Sequence, residues 1–321
     1  MKSAESDFLY KAILIIVMLV LVAPAYAEKG TIVVIGDTED FTESDDLNQG
    51  FLALTQWTAT NVKKRNIVFL THVGDIVQDE TNGPDRNLTQ WARADAAFDI
   101  LDVQAPQLPY SVSQGNHDIE TTSRPEGTPT RFHEFFGNSR FAGKPWYGGA
   151  SPRGNGHFQV FRVGKREYLH LNIPWFQYDP TWQWAKQVLL EHKGKPTIIS
   201  THYYMDENAR RSPVGEAIYE RLVQPYSQVF LVLGGHVLGH AHKTSPNAAG
   251  RQVFEVMANY ESLVNKGENW FTIIELDDTQ GVIQFRTLTP GTDPNHPVEK
   301  FRRSAEYEFQ FKMDWEKQFG P

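Results

Sequence analysis

Residues 31–39 read Thr-Ile-Val-Val-Ile-Gly-Asp-Thr-Glu, an unbroken β-branched run that ends on a glycine and then on carboxylates. A strand with one wet face alternates polar and apolar residues. A continuous apolar run therefore marks a strand covered on both faces. The pattern recurs at 67–73, 108–112, 197–201 and 229–233. These runs open onto Gly74-Asp75, Gly115-Asn116-His117-Asp118, His202 and Gly235-His236. Between them lie amphipathic stretches. Residues 47–65 have helical apolar spacing and basic residues at the end that suits the helix dipole. Further helices are predicted over 87–101, 181–192, where Gly194 and Pro196 stop the helix, and 214–223. Residues 158–163 and 168–173 flank Gly164-Lys165 as a hairpin, and strand-like segments follow Gln252. Strands alternating with helices predict a layered α/β fold, and the surplus strands predict two packed sheets. Ligands of open α/β sheets bind at the carboxyl ends of strands.

A single Gly-Asp after a strand is ordinarily a turn or a helix cap. Five strand ends carrying only hard oxygen or imidazole donors in one chain point instead to a metal centre for Mn, Fe, Zn or Mg. The chain has no cysteine, which removes thiolate sites and thiol nucleophiles. Its net charge of −8 argues against a standing nucleic-acid partner, which would want clustered Lys and Arg. Bound cations can still supply a local positive field for a phosphate.

Residues 1–27 differ from the rest. Lys2 and Lys11 precede an apolar run over 12–23, and Pro24 leads into Ala25-Tyr26-Ala27. This is the pattern of a cleaved signal peptide and predicts export, periplasmic or secreted. The apolar run is shorter than the roughly 20 residues of a membrane span, so no span is expected after cleavage; an uncleaved N-terminal anchor is the alternative. Residues 28–290 are expected to form one domain, with 291–321 an extension packed on it.

On these motifs the chain resembles the calcineurin-like metallophosphoesterase superfamily over most of its length. Gly-Asn-His-Asp at 115–118 is the most specific piece, and Gly74-Asp75 precedes it at the family's spacing. Trp146-Tyr147-Gly148-Gly149 and the strand entering His236 look like bacterial exported members whose first motif is Asp-Thr-Gln. The resemblance implies a four-layer sandwich of two mixed β-sheets flanked by helices. It also implies a dinuclear site for two divalent or trivalent ions. Asp37 would bind the first metal and Asp75 would bridge both. Asn116, His202 and His236 would bind the second. His117, oriented by Asp118, would be the general acid. The implied reaction is hydrolysis of a small-molecule or envelope phosphate ester, mono- or diester, with a metal-bridging hydroxide as nucleophile.

Two positions depart from the family. Glu39 stands where many members have histidine; it either binds the first metal and favours a harder ion, or points away. Leu238 stands where the second histidine of Gly-His-x-His completes the first metal's shell. His240 and His242, in Gly239-His240-Ala241-His242, are the candidate replacements. These departures motivate the alternative of a degenerate, non-catalytic ligand-binding protein of the cell envelope. Against it stands His117, which such a protein would not need. Asn259-Tyr260 resembles the Asn-Tyr pair that family members carry near the site, with a core hydrogen-bonding pair the preferred reading. Arg210 and Arg211 read as a solvated charge pair, with contact to a substrate phosphate the alternative. His72, His157 and His170 read as structural. Of Trp146, Tyr147, Trp175, Trp182 and Trp184, some are expected to line a cleft and most to pack.

Overall fold

The computed structural model describes residues 29–78, 88–119, 131–175, 177, 179–261 and 266–320, so the predicted signal peptide lies outside the described residues. The elements are β1 (Lys29–Ile35), α1 (Glu39–Thr42), α2 (Asp45–Asn61), β2 (Ile67–His72), α3 (Leu88–Gln104), β3 (Tyr110–Val112), α4 (Arg131–Phe136), α5 (Asn138–Phe141), β4 (Tyr147–Ala150), β5 (His157–Val163) and β6 (Arg166–Asn172). Then follow α6 (Asp179–Glu191), β7 (Thr197–Ser200), α7 (Pro213–Ile218, continued by a π-turn), β8 (Val229–Gly234), β9 (Gly239–Pro246), β10 (Gln252–Asn259), β11 (Phe271–Asp277), β12 (Val282–Thr289), β13 (Lys300–Arg302), β14 (Glu308–Lys312) and α8 (Trp315–Phe319).

The strands form two sheets. One runs β13-β12-β11-β1-β2-β3 with β14 also on β12, the other β4-β5-β6-β7-β8-β10-β9. In the first, β1, β2 and β3 are parallel while β11 lies antiparallel to β1. In the second, β6, β7, β8 and β10 are parallel and β9 is antiparallel to β10. The parallel runs follow from helical crossovers, since parallel neighbours cannot be joined by a tight turn.

Alternate residues of each strand serve different layers. Val33, Ile35, Leu70 and Ile273 pack with Phe51, Leu54, Trp57, Trp91 and Phe98 of α2 and α3. Ile32, Val34, Phe69 and Ile274 face Phe161, Tyr168, Ile198 and Leu231 of the other sheet. Leu169, Leu171, Ile199 and Val232 turn to Trp182, Leu189, Ile218 and Leu222 beneath α6 and α7. The result is a four-layer helix–sheet–sheet–helix sandwich, and strands sealed on both faces are why their sequences run apolar without alternation.

Some boundaries differ from expectation. Residues 47–65 were expected to stay helical, yet α2 ends at Asn61. Asn66, at a positive φ of 47°, turns the chain into β2. Arg65 leaves the helix to meet Glu299 at 2.6 Å, while its carbonyl accepts from the Thr31 hydroxyl at 2.6 Å. The segment after Gly291 is woven in: β14 pairs with β12, and Trp315 of α8 packs edge-on to Tyr168 and Phe230 between the sheets.

Arg211 is not a solvated charge. Its guanidinium grips the fully buried Glu255 at 2.6 and 2.9 Å, donates to Ser245 Oγ at 2.8 Å, and lies 3.4 Å over the Tyr219 ring. Arg211→Ala strands that carboxylate in the core and is expected to lower stability by about 3–5 kcal/mol. Urea unfolding checks this; a loss under about 1 kcal/mol would show Glu255 satisfied without the arginine.

Candidate metal centre

The carboxyl ends of three parallel strands from each sheet meet. β1 delivers Asp37, β2 Asp75 and the loop after β3 Asn116 to Asp118. From the second sheet β7 delivers His202, β8 His236 and β10 Asn259 to Glu261. The turns are shaped for close approach. A Cβ on Gly115 would lie 2.1 Å from Asp75 Oδ1, and one on Gly235 2.3 Å from Asp37 Oδ1. Two donor residues also hold positive φ, 51° at Asp75 and 67° at His236. Such backbones cost about 1–3 kcal/mol each and persist where surrounding structure enforces them.

One half of the centre is organised around His202. Its Nδ1 lies 3.0 Å from the Val73 carbonyl, and a carbonyl only accepts, so Nδ1 carries the hydrogen. That turns Nε2 towards Asp75 Oδ2 at 2.9 Å, Asn116 Oδ1 at 3.0 Å and His236 Nδ1 at 3.1 Å. Asp75 Oδ2 and Asn116 Oδ1 can only offer lone pairs. Burial opposes charge on His202, but Asp75 and Asp37 outweigh it and hold its pKa up at about 9. Burial and His202 push His236 down to about 4, leaving its ring neutral. The cluster thus demands a positive charge at its middle. A cation among two imidazoles, an amide oxygen and a carboxylate meets that demand with both rings neutral, so the residues fit a metal.

The other half is carboxylate. One oxygen each from Asp37, Glu39 and Glu261 lie within 4.8 Å of one another, and a second set joins Glu39, Asp75 and one His117 nitrogen. Asn259 binds Asp37 Oδ2 at 2.5 Å, and the His236 N–H donates to the same carboxylate at 3.0 Å. Burial, reinforced by Asp75 and Glu261 and partly offset by His202, holds Asp37 well above the usual carboxylate range. Burial and then Asp37 and Asp75 do the same to Glu39. Packed carboxylates of raised pKa want a counter-cation.

The family model for calcineurin-like phosphoesterases matches residues 30–240. The chain belongs to the calcineurin-like phosphoesterase family. It is similar to YvnB of Bacillus subtilis (strain 168), an uncharacterized protein, at 28% identity over 297 residues. The match covers 91% of this chain but 22% of YvnB, so the chain spans about a fifth of that curated relative's length. In fold it is similar to a dimetal phosphatase from Danio rerio, with a TM-score of 0.57 and 13% identity over 90% of this chain and 99% of that one.

Within this calcineurin-like phosphoesterase frame two expectations are corrected. Asp118 does not orient His117. It is fully buried, and its carboxylate accepts from the backbone N–H groups of Gly115 at 2.8 Å, Ile76 at 2.8 Å and Val77 at 3.2 Å. It ties the Asn116 loop to the Asp75 loop, and burial with Asp75 nearby pushes it up to about 7. The His117 ring is held by the Gln78 carbonyl, 2.6 Å from Nδ1, while its backbone N–H donates to Asp75 Oδ1 at 2.8 Å. His240 is not brought to the centre, nor is His242. Both rings pack on Phe309, and neither joins a cluster of possible ligands among the described residues. As an alternate pair on β9 they share one face.

Glu261 was missed altogether. Asn259 touches Asp37 directly rather than serving the core alone, whereas the Tyr260 hydroxyl bonds Thr287 at 2.9 Å. His72 accepts from the Gly74 N–H at Nδ1 and donates from Nε2 to Thr38 Oγ1 at 2.8 Å, latching the two first loops. His157 and His170 flank Gln159 in the second sheet. Trp175 and Tyr203 stand over His236 at ring separations of 5.2 and 4.5 Å; Trp146 and Trp182 are buried in the cores.

Proposed function

We propose that this protein is a metal-dependent hydrolase of phosphate mono- or diesters, exported to the periplasm or medium, whose substrate is a small-molecule or envelope phosphoester. The observation that carries the reading is the convergence of lone-pair atoms on His202 Nε2 beside a carboxylate cluster, with Asp75 in the first and linked to the second through Glu39. Asp75, Asn116, His202 and His236 would hold one cation, and Asp37, Glu39 and Asp75 the other. Such ions supply Lewis acidity to phosphoryl oxygens and lower the pKa of a water nucleophile.

The chain's own residues do the rest. The Gln78 carbonyl keeps one hydrogen on His117 Nδ1, so the proton for the leaving oxygen would be the second one, carried on Nε2 of the imidazolium form. The backbone bond from His117 to Asp75 keeps that ring beside the shared carboxylate. Trp175 and Tyr203 stack on each other and wall one side of the histidine half. The net charge of −8 favours a small phosphoester over a nucleic-acid partner.

The purified protein is expected to contain metal and to turn over p-nitrophenyl phosphate or bis-p-nitrophenyl phosphate with Mn, Zn or Mg. Absence of both bound metal and turnover in every condition would sink the enzyme and favour a ligand-binding protein with a lapsed site.

A further inference from the structure

The family resemblance implies that the second histidine of Gly-His-x-His completes the carboxylate half. Leu238 occupies that position and is 49% exposed with no donor to offer. His240 and His242 lie on β9 against Phe309. What the fold brings instead is Glu261, two residues beyond β10, whose carboxylate joins those of Asp37 and Glu39.

Three neighbouring carboxylates can simply share protons, and two further observations go beyond that. Glu39 is 4% exposed, and its Oε2 is buried without a hydrogen-bond partner. Leaving a buried oxygen unpaired costs about 1–3 kcal/mol, so a partner belongs there. Asn259 also clamps the cluster. Its amide N–H groups reach Asp37 Oδ2 at 2.5 Å and Glu261 Oε2 at 3.5 Å, and the Glu261 backbone N–H returns to Asn259 Oδ1 at 3.1 Å. Outer-shell amides orient metal ligands in this way.

We propose that Glu261 is a metal ligand standing in for the lost histidine, and that the centre is chemically unequal: an all-carboxylate half for a hard cation such as Mg, Ca or Mn, and a histidine half for a transition metal such as Zn or Fe. The donor sets carry the assignment. Asp37, Glu39, Glu261 and the shared Asp75 offer only oxygen, which suits hard ions, whereas His202 and His236 suit borderline ones. These four carboxylates carry four negative charges when ionised, balanced by two divalent ions. The proposal rests on the dinuclear reading of the site but not on turnover.

The test is metal partition. Chelator-stripped full-length protein is dialysed against a bath of Mg, Mn and Zn, and bound metals are counted by mass spectrometry; Mn EPR reports the ligand set. Wild type is expected to take about one Zn and one hard cation per chain. Glu261→Gln should keep the Zn and bind Mn at least tenfold more weakly. His236→Ala should do the reverse, and Glu261→His should gain affinity for a second Zn. Metal-free melting curves establish that each variant is folded, and the gain in Glu261→His survives a folding defect in the glutamine variant. Two Zn per chain in wild type, or unchanged Mn affinity in Glu261→Gln, would overturn the proposal. Bound metals partitioned as expected but no hydrolysis would instead sink the phosphoesterase reading alone.

Discussion

Asp75→Asn is expected to cut phosphoester turnover by about 10³-fold or more and to strip metal from both halves of the centre, while the melting temperature of the metal-free protein moves little. Asp75 belongs to two clusters of possible ligands, one with His202 and His236 and one with Glu39 and His117, and its two oxygens do different work. Oδ1 accepts the backbone N–H of His117 at 2.8 Å, and Oδ2 lies 2.9 Å from His202 Nε2. Asparagine keeps the Oδ1 acceptor and the volume. It places an N–H where Oδ2 was, which can donate to a neutral His202 but repels a cation. The fold therefore loses little, since the φ of 51° at this position is one that asparagine adopts as readily as aspartate. The chemistry loses the one negative charge that both halves share. A bound metal contributes several kcal/mol to the transition state, and each 1.4 kcal/mol is about tenfold in rate. Initial rates, metal content and melting curves on one preparation decide it. Wild-type turnover in Asp75→Asn would show the centre wrongly assigned; a collapse in melting temperature would show Asp75 to be structural first.

Much of this centre was legible because of how parallel strands are written. A strand covered on both faces is a contiguous apolar word, and its end is where donor side chains can stand. Asp37, Asp75, Asn116, His202 and His236 could therefore be picked out by eye, and the two-sheet sandwich followed from the order of the same elements. What could not be read was set by tertiary contact. Glu261 sits two residues past β10 with no glycine before it, and its partner Asp37 is more than two hundred residues away in sequence. The literal Gly-His-Ala-His at 239–242 misled for the opposite reason. It has the motif's letters, but β9 is an antiparallel edge strand that sets His240 opposite Ala258 and His242 opposite Val256, and both rings turn onto Phe309 rather than to the donor cluster. Asp118 follows His117 directly, which suggests a pair, yet three backbone N–H groups from two loops claim its carboxylate. Past the end of α2 at Asn61, Arg65 reaches Glu299, a partner no local window contains.

The sharpest test of mechanism, as distinct from metal binding, is His117→Ala read against the leaving group. The ring hangs from the Gln78 carbonyl by Nδ1, and one of its nitrogens lies within 4.8 Å of the Glu39 and Asp75 oxygens. Among the described residues its side chain makes no other hydrogen bond, and it is only part-buried. Removing the ring should therefore leave folding and metal content intact. If His117 delivers the proton, the penalty depends on how badly the leaving oxygen needs one. An alkyl phosphate departs as a strongly basic alkoxide without an acid, whereas p-nitrophenolate is a stable anion near neutral pH. General acid catalysis is worth about 10²–10⁴-fold, so kcat on a simple alkyl phosphate should fall by about 10²-fold or more. On p-nitrophenyl phosphate the loss should be roughly tenfold or less, because little proton transfer is called for in its transition state. Equal losses on the two substrates would mean that His117 binds the phosphoryl group rather than protonating the leaving oxygen. A loss confined to KM would carry the same message, since an acid acts in the transition state and leaves ground-state binding alone.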